Sequence, residues 1–145
     1  SEKLKHDPKR FILCTPETIA ERAAEFDVLE VMFITEHTTE YVLETPELKV
    51  YRSEDIYSPG FDWVQMTHPN SNKGSAVKKI AKMTGATHII SFGDNVNDVD
   101  MFAVSDISCA IKSGHDLALE MGDHLIGTND EAGVAHWIRQ YLSSL

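Results

Sequence analysis

The segment from residue 93 to residue 98, with the sequence GDNVND, holds the most chemically capable side chains of the chain. Asp94 and Asp98 are four residues apart across a predicted loop-to-helix junction, a spacing that can bring both carboxylates into one pocket. Carboxylate oxygens, water and substrate phosphate are the ligands that Mg²⁺ prefers. Asn97 adds an amide that can hold a phosphoryl oxygen or orient a carboxylate. The segment therefore predicts a magnesium site with Asp94 and Asp98 as its metal residues.

Helix capping is the alternative interpretation of the same segment. Asp and Asn at the start of a helix commonly accept hydrogen bonds from its first backbone N–H groups. The metal interpretation is favoured because carboxylates gathered at the end of a strand repel one another unless a cation is present.

Lys73, followed by Gly74, is the second candidate. It opens a predicted helix, and the N-terminus of a helix is an unfavourable place for a cation and a favourable one for an anion. A lysine at this position is explained if its ammonium and the helix end both face a bound phosphate. A solvated surface lysine is the alternative.

Residues 70–145 alternate between helix and strand patterns, which positions both candidates. Asn72 predicts the N-cap of a helix over about residues 73–83, buried through positions 76, 77, 80 and 81, and Gly85 predicts its left-handed end. The later elements are predicted at residues 88–92, 98–104, 107–111, 116–121 and 124–126, and as a terminal helix capped by Thr128, Asn129 and Asp130. Strands separated by helices predict an α/β fold, a parallel sheet with helices on both faces. The GDNVND segment then lies at the carboxyl edge of the sheet, where such folds bind ligands.

Residues 1–69 have a different pattern and form the first of two predicted domains. A helix capped by Thr15 precedes a strand at residues 28–34, and further extended stretches follow at 41–43, 48–51 and 61–66. Pro- and Gly-containing turns separate these stretches, which favours an antiparallel sheet in an α+β module. Residues 70–145 form the second, α/β domain.

Composition and charge restrict the classes of function. The chain has 145 residues, 42% hydrophobic, and a net charge of 13 − 23 = −10, which argues against a nucleic-acid-binding face. No apolar run is long enough to span a bilayer. Two cysteines, Cys14 and Cys109, form no disulfide framework, and Cys109 is predicted to be a packing residue. We therefore expect a soluble cytoplasmic protein without nucleic-acid or membrane partners.

Three motifs together resemble the C-terminal part of the haloacid dehalogenase (HAD) superfamily, and within it the Cof-type sugar-phosphate phosphatases. They are Lys73-Gly74, then Gly93-Asp94-x-x-Asn97-Asp98-x-x-Met101, then Asn129-Asp130-Glu131-x-Gly133-Val134-Ala135. The resemblance covers about residues 70–138, the second half of a Rossmann-like core. Residues 1–69 are similar only in architecture, as the last part of an α+β cap domain.

The resemblance implies a role for each matching residue. Lys73 corresponds to the family's phosphate-binding lysine, and Asn97 to a position that touches the phosphoryl group. Asp94 corresponds to a direct Mg²⁺ ligand, and Asp98 to an acidic residue that supports the metal site, often through water. The implied reaction is hydrolysis of a small phosphorylated metabolite, such as a sugar phosphate, through an aspartyl phosphate.

The sequence also departs from the family's pattern. The family's nucleophile lies in a DxDx(T/V) motif, whereas the only DxD here is Asp98-Val99-Asp100, inside the later motif. Because the chain begins with Ser1, we expect a fragment of a longer phosphatase that is inactive alone. One half of a split enzyme and a non-catalytic phosphosugar-binding or regulatory module are the alternatives. The phosphorylation domain of a P-type ATPase is less favoured, because no membrane helix is predicted.

The strand before Asp94 is expected to have an open edge. In the family's sheet the strand that carries the nucleophile runs beside it, and an unpaired strand edge invites pairing. We therefore expect self-association, or association with the missing N-terminal half, through this edge.

Overall fold

The computed structural model describes residues 28–38, 45–55 and 57–145, together with positions 18, 21, 24 and 25. The predicted helix capped by Thr15 and the extended stretch at residues 41–43 lie outside this part of the chain. The described residues contain two three-stranded sheets.

The first sheet is antiparallel, as predicted. Its strands are β1 (Glu30–Glu36), β2 (Lys49–Glu54) and β3 (Phe61–Thr67), in the order β1-β3-β2. The turn between β2 and β3 depends on Gly60, whose φ of +89° is a conformation that L side chains rarely adopt.

The second sheet is parallel and alternates with helices, which confirms the predicted α/β class. After α1 (Lys73–Thr84) come β4 (Ile90–Gly93), a 3₁₀ turn (Val96–Asp98) and α2 (Val99–Phe102). The chain continues through β5 (Ile107–Ile111), α3 (Asp116–Met121), β6 (His124–Ile126) and α4 (Gly133–Ser143). The strand order is β4-β5-β6.

Apolar side chains cover both faces of the parallel sheet. On one face Ala110 of β5 packs with Phe102 of α2 and Ala118 of α3. On the other face Cys109 packs in a cluster that includes Trp137 of α4. Burial raises the pKa of the Cys109 thiol to about 11, which fits the predicted packing role.

The start of α4 differs from the prediction. Thr128, Asn129 and Asp130 do not cap this helix; its N-cap is Ala132, in the left-handed conformation at φ 52° and without a side-chain cap. The Glu131 carboxylate instead accepts hydrogen bonds from the Thr128 backbone N–H and hydroxyl, at 2.9 and 3.1 Å, and this closes a separate turn. Gly133 then packs directly on Gly127, since a Cβ at Gly133 would lie 1.9 Å from the Gly127 carbonyl oxygen.

The prediction that α1 is buried through positions 76, 77, 80 and 81 is also wrong. Only Gly74 is buried in the helix, and Ile80 is 58% exposed. The helix packs on α2 through its first turn, where a Cβ at Gly74 would lie 2.1 Å from the carbonyl oxygen of Asp100. Among the residues described, β4 pairs with β5 alone.

No helix in the described part of the chain is both long enough and apolar enough to cross a membrane.

Candidate phosphate and metal site

The N-terminus of α1 positions Lys73. The Asn72 side chain accepts a hydrogen bond from the Ser75 N–H at 2.8 Å, and the Ser75 hydroxyl accepts one from the Asn72 N–H at 3.1 Å. This reciprocal capping box confirms the predicted N-cap and fixes the first helical turn. Lys73 is the first residue of that turn, so its side chain starts from a rigid backbone.

The Lys73 ammonium joins the two sequence motifs. It donates hydrogen bonds to the Asn97 side-chain oxygen at 3.0 Å and to one carboxylate oxygen of Asp98. The side chain of Asp98 is 5% exposed, whereas that of Lys73 is 48% exposed. The ammonium therefore neutralises a buried carboxylate on one side and reaches solvent on the other.

The Asp98 carboxylate also holds the loop that carries Asp94. Its second oxygen accepts hydrogen bonds from the backbone N–H groups of Asp94 and Asn95, at 2.9 and 3.0 Å. Only glycine fits at position 93, because a Cβ there would lie 2.5 Å from the Asp98 Cβ. Asp98 is thus part of a capping box with Asn95 as well as an ion-pair partner, so the capping interpretation of this segment is also correct.

Asp94 presents an exposed carboxylate beside this cluster. Its carbonyl oxygen accepts a hydrogen bond from the His115 N–H at 2.8 Å, which fixes the backbone. The absence of a side chain at Gly114 allows this contact, since a Cβ there would lie 2.6 Å from the same oxygen. No residue of the described ranges donates a hydrogen bond to the Asp94 carboxylate, so both of its oxygens are open to a ligand.

The donor chemistry of this cluster suits a magnesium ion held by few protein ligands. Mg²⁺ typically binds one or two carboxylates and completes its shell with water and substrate phosphate. Asp94 offers hard oxygens of this kind, whereas both oxygens of Asp98 already accept hydrogen bonds. The described residues contain no group of three or more His, Cys, Asp or Glu side chains that could hold a metal by themselves.

Contacts from the first sheet reach the same elements, and sequence reasoning missed them. The Asn97 amide donates to the Gln65 side-chain oxygen at 3.2 Å. Asp100 accepts hydrogen bonds from Lys49 and, at 2.5 Å, from the Tyr51 hydroxyl. Burial alone would raise the pKa of Asp100, but these donors hold it below its usual value. The one available signal was the Asp98-Val99-Asp100 spacing, because residues two apart at a helix start face different sides.

A cavity of about 520 Å³ lies between the first sheet and the start of α1. Lys73 and Asn97 line it from one side, and strand residues Tyr51, Gln65 and Thr67 from the other. The Thr67 hydroxyl is buried and has no hydrogen-bond partner in the described part of the chain. The cavity therefore offers a cation and amide groups to a polar ligand.

Comparison with known proteins identifies similar sequences. The family model described as haloacid dehalogenase-like hydrolase matches residues 4–138. The 5-amino-6-(5-phospho-D-ribitylamino)uracil phosphatase YwtE of Bacillus subtilis is 33% identical over 99 residues, 67% of this chain and 35% of that protein. The chloroplastic endoribonuclease YBEY of Arabidopsis thaliana is 26% identical over 144 residues, 94% of this chain and 24% of that protein. The chain thus spans about a third and a quarter of these two relatives.

Solved structures share the fold. The HAD subclass IIB sugar phosphatase BT4131 superposes with a TM-score of 0.67 at 21% identity, over 83% of this chain and 46% of that one. The phosphatase BT1666 of Bacteroides thetaiotaomicron gives a TM-score of 0.71 at 17% identity, over 85% and 45% of the two chains. At these identities the likeness establishes the architecture, including the Rossmann-like core.

Proposed function

The chain belongs to the haloacid dehalogenase-like hydrolases, and on that premise we propose that it supplies the phosphate- and metal-binding part of a Mg²⁺-dependent phosphatase. The substrate class is a small phosphorylated metabolite such as a sugar phosphate. One observation carries the proposal: Lys73, on the wall of a cavity, contacts Asn97 and the buried Asp98, and the Asp98 carboxylate also holds the backbone of Asp94. The named activity of the Bacillus relative supports it.

In this proposal Lys73 and the start of α1 bind the phosphoryl group. An ammonium and the free N–H groups of a helix end both attract an anion. Asn97 orients the ammonium, and its amide faces the same cavity. Asp98 keeps the ammonium aimed at this point while it is itself shielded from solvent.

Asp94 would hold Mg²⁺, and Asp98 would support the site by fixing the Asp94 backbone. When bound, the ion would polarise a phosphoryl oxygen and offset developing negative charge. The direct-ligand role of Asp94 and the supporting role of Asp98 remain predictions from the sequence.

The proposed nucleophile is a carboxylate that none of the sequence motifs of these 145 residues supplies. Asp98 and Asp100, the only DxD pair, are both held by cations or hydrogen bonds. The reaction proposed for the whole protein forms an aspartyl phosphate, which water then hydrolyses. In this proposal residues 1–69 are part of a cap domain that covers residues 70–145, and the substrate binds between the two domains.

The direct test measures phosphate release by the whole polypeptide that contains this chain. We expect Mg²⁺-dependent hydrolysis of p-nitrophenyl phosphate and of sugar phosphates, lowered at least about a hundredfold by Asp94→Asn. Asp130→Asn, at an exposed acidic position, is the matched control and should leave the rate unchanged. Binding of sugar phosphates without any turnover would contradict the proposal and favour a non-catalytic binding module.

A further inference from the structure

The first sheet contacts the segment after β4 at two points, three residues apart. Tyr51 of β2 and Gln65 of β3 are register partners, so they lie side by side on one face of the sheet. The Tyr51 hydroxyl donates a hydrogen bond to the Asp100 carboxylate at 2.5 Å. The Gln65 side-chain oxygen accepts one from the Asn97 amide at 3.2 Å. Both contacts therefore come from one place on the sheet.

Lys49 adds an ion pair to the contact at Asp100. It lies two residues before Tyr51, on the same face of the strand, and its ammonium donates to the other carboxylate oxygen of Asp100. The Lys49 and Asp100 side chains are 35 and 24% exposed, so the pair is partly shielded from water. The ammonium also lies 5.4 Å from the centre of the Tyr51 ring, within the range of a cation–π interaction. Because charge-assisted hydrogen bonds are stronger than neutral ones, the Asp100 contact is the firmer of the two.

The backbone of Asp100 lies against the helix that carries Lys73. A Cβ at Gly74 would lie 2.1 Å from the Asp100 carbonyl oxygen, so α1 and α2 are in close contact at this point. Asp98, which pairs with the Lys73 ammonium, is two residues before Asp100. The ion pair of Lys49 and Asp100 therefore attaches the sheet to the part of the molecule that holds Lys73.

The Asn97 side chain connects the sheet to Lys73. Its amide nitrogen donates to Gln65, and its amide oxygen accepts a hydrogen bond from the Lys73 ammonium at 3.0 Å. Because the oxygen and the nitrogen belong to one rigid group, a partner at the nitrogen determines the direction in which the oxygen points. If Gln65 moves away, the amide can rotate, and the ammonium loses one of its two described partners.

We propose that Lys49 and Asp100 are positioning residues for the phosphate-binding group. Their ion pair holds the first sheet against α2, which keeps Gln65 on Asn97 and thereby keeps the Lys73 ammonium in its place at the cavity. Neither Lys49 nor Asp100 is among the described residues that line the cavity, so the pair acts through Gln65 and not on the ligand. The inference rests on the proposed phosphate site and extends it to the first sheet.

The test uses opposite charge changes at the two residues. Inorganic phosphate is titrated by calorimetry, in Mg²⁺ buffer, into the whole polypeptide that contains this chain. Lys49→Met removes a positive charge and Asp100→Asn removes a negative one, so charge alone would weaken anion binding in the first variant and strengthen it in the second. Loss of positioning weakens binding in both, and we expect the affinity for phosphate to fall at least about threefold in each.

Two further variants distinguish positioning from a general loosening of the fold. Lys49→Arg keeps a charge-assisted donor for Asp100 and should bind phosphate within about twofold of the unmodified protein. Gln65→Met removes the acceptor for the Asn97 amide, and in its background Lys49→Met should weaken binding little further, because both changes break the same connection. Lys78→Met, at an exposed lysine of α1 that is not among the described residues lining the cavity, is the control and should leave the affinity unchanged.

The outcomes separate this inference from the function on which it rests. Stronger phosphate binding by Asp100→Asn, or an undiminished effect of Lys49→Met in the Gln65→Met background, would overturn the positioning role and leave the phosphate site in place. Failure of the unmodified polypeptide to bind phosphate would overturn the site and this inference together. Phosphate binding without hydrolysis of any phosphomonoester would overturn the phosphatase proposal alone, and the same variants would still decide the positioning role. If Lys49→Met does not fold, the direction of the Asp100→Asn effect gives the result.

Discussion

At the scale of single residues, the site depends on one ammonium that serves two partners. Lys73 neutralises the buried Asp98 and remains half exposed to a ligand. The sequence predicted Lys73, Asp94, Asn97 and Asp98 as site residues from their types and spacing, and their roles remain predictions. It could not show that both Asp98 oxygens are occupied, since that depends on the path of the backbone around Gly93.

Removal of the Lys73 charge should weaken phosphate binding. Lys73→Met is expected to weaken binding of inorganic phosphate to the chain by about tenfold or more, the usual size of a lost charge-assisted hydrogen bond. Calorimetry with Lys82→Met, which removes an equal charge from the last turn of the same helix, is the control. Equal weakening in both variants would point to net charge instead of a site.

At the scale of elements, local signals predicted some boundaries and failed at others. Asn72 caps the start of α1 and Gly85 caps its end, as expected, and Gly85 has the left-handed φ of 72°. The prediction for the start of α4 was wrong. The turn closed by Glu131 uses the Thr128 side chain, which was expected to cap the helix. The apolar side chains of α1 are not buried although their spacing is helical. Periodicity therefore indicates which side chains could be buried, and the element that packs against the helix decides whether they are.

Replacing alanine by glycine should change the free energy of unfolding in opposite directions at the start of α4 and inside it. Ala132→Gly should raise the free energy of unfolding by up to about 1 kcal/mol, because the left-handed conformation costs alanine more than glycine. Ala135→Gly, inside the same helix, should lower it by about 1 kcal/mol. Urea denaturation of both variants checks the difference. Destabilisation by Ala132→Gly equal to that by Ala135→Gly would contradict this account of the helix start.

The first sheet should contribute a pH-dependent stability through Asp62. Burial of Asp62 opposes its charge, but hydrogen bonds from His37 and Arg52 outweigh burial and hold its pKa below the ordinary 3.8. A carboxylate with a lowered folded pKa stabilises the fold above its unfolded pKa, and this contribution is lost as the pH falls through the folded value.

Asp62→Asn should therefore lower the free energy of unfolding by about 1–3 kcal/mol at neutral pH. The difference from the unmodified chain should shrink as the pH falls below 3.8. Urea denaturation across the acidic range measures it, with Asp130→Asn as the control. A difference that stays constant with pH would show that shape, and not charge, is responsible.

At the scale of the whole molecule, β4 is an edge strand of the parallel sheet in the described part of the chain. Among the described residues β4 pairs with β5 alone, and a groove of about 240 Å³ between α1 and β4 is lined by apolar side chains including Val77 and Ile80. Unpaired edges and exposed apolar surfaces favour association. We propose that a further strand of the core, or a second copy of the chain, covers this side.

The isolated 145-residue chain should therefore associate as its concentration rises. Ile80→Glu should shift the chain toward the monomer in sedimentation experiments, because it places a charge in the groove. Leu142→Glu, at an exposed apolar position on α4, should not. A chain that stays monomeric at every concentration would contradict association through the edge of β4.

The most direct test of the central claim is a calorimetric titration of Mg²⁺ into the chain with phosphate present. We expect saturable binding to the unmodified chain and to Asp130→Asn, and its loss in Asp94→Asn. Undiminished Mg²⁺ binding by Asp94→Asn, or no binding by the unmodified chain, would contradict the assignment of this cluster as a metal and phosphate site.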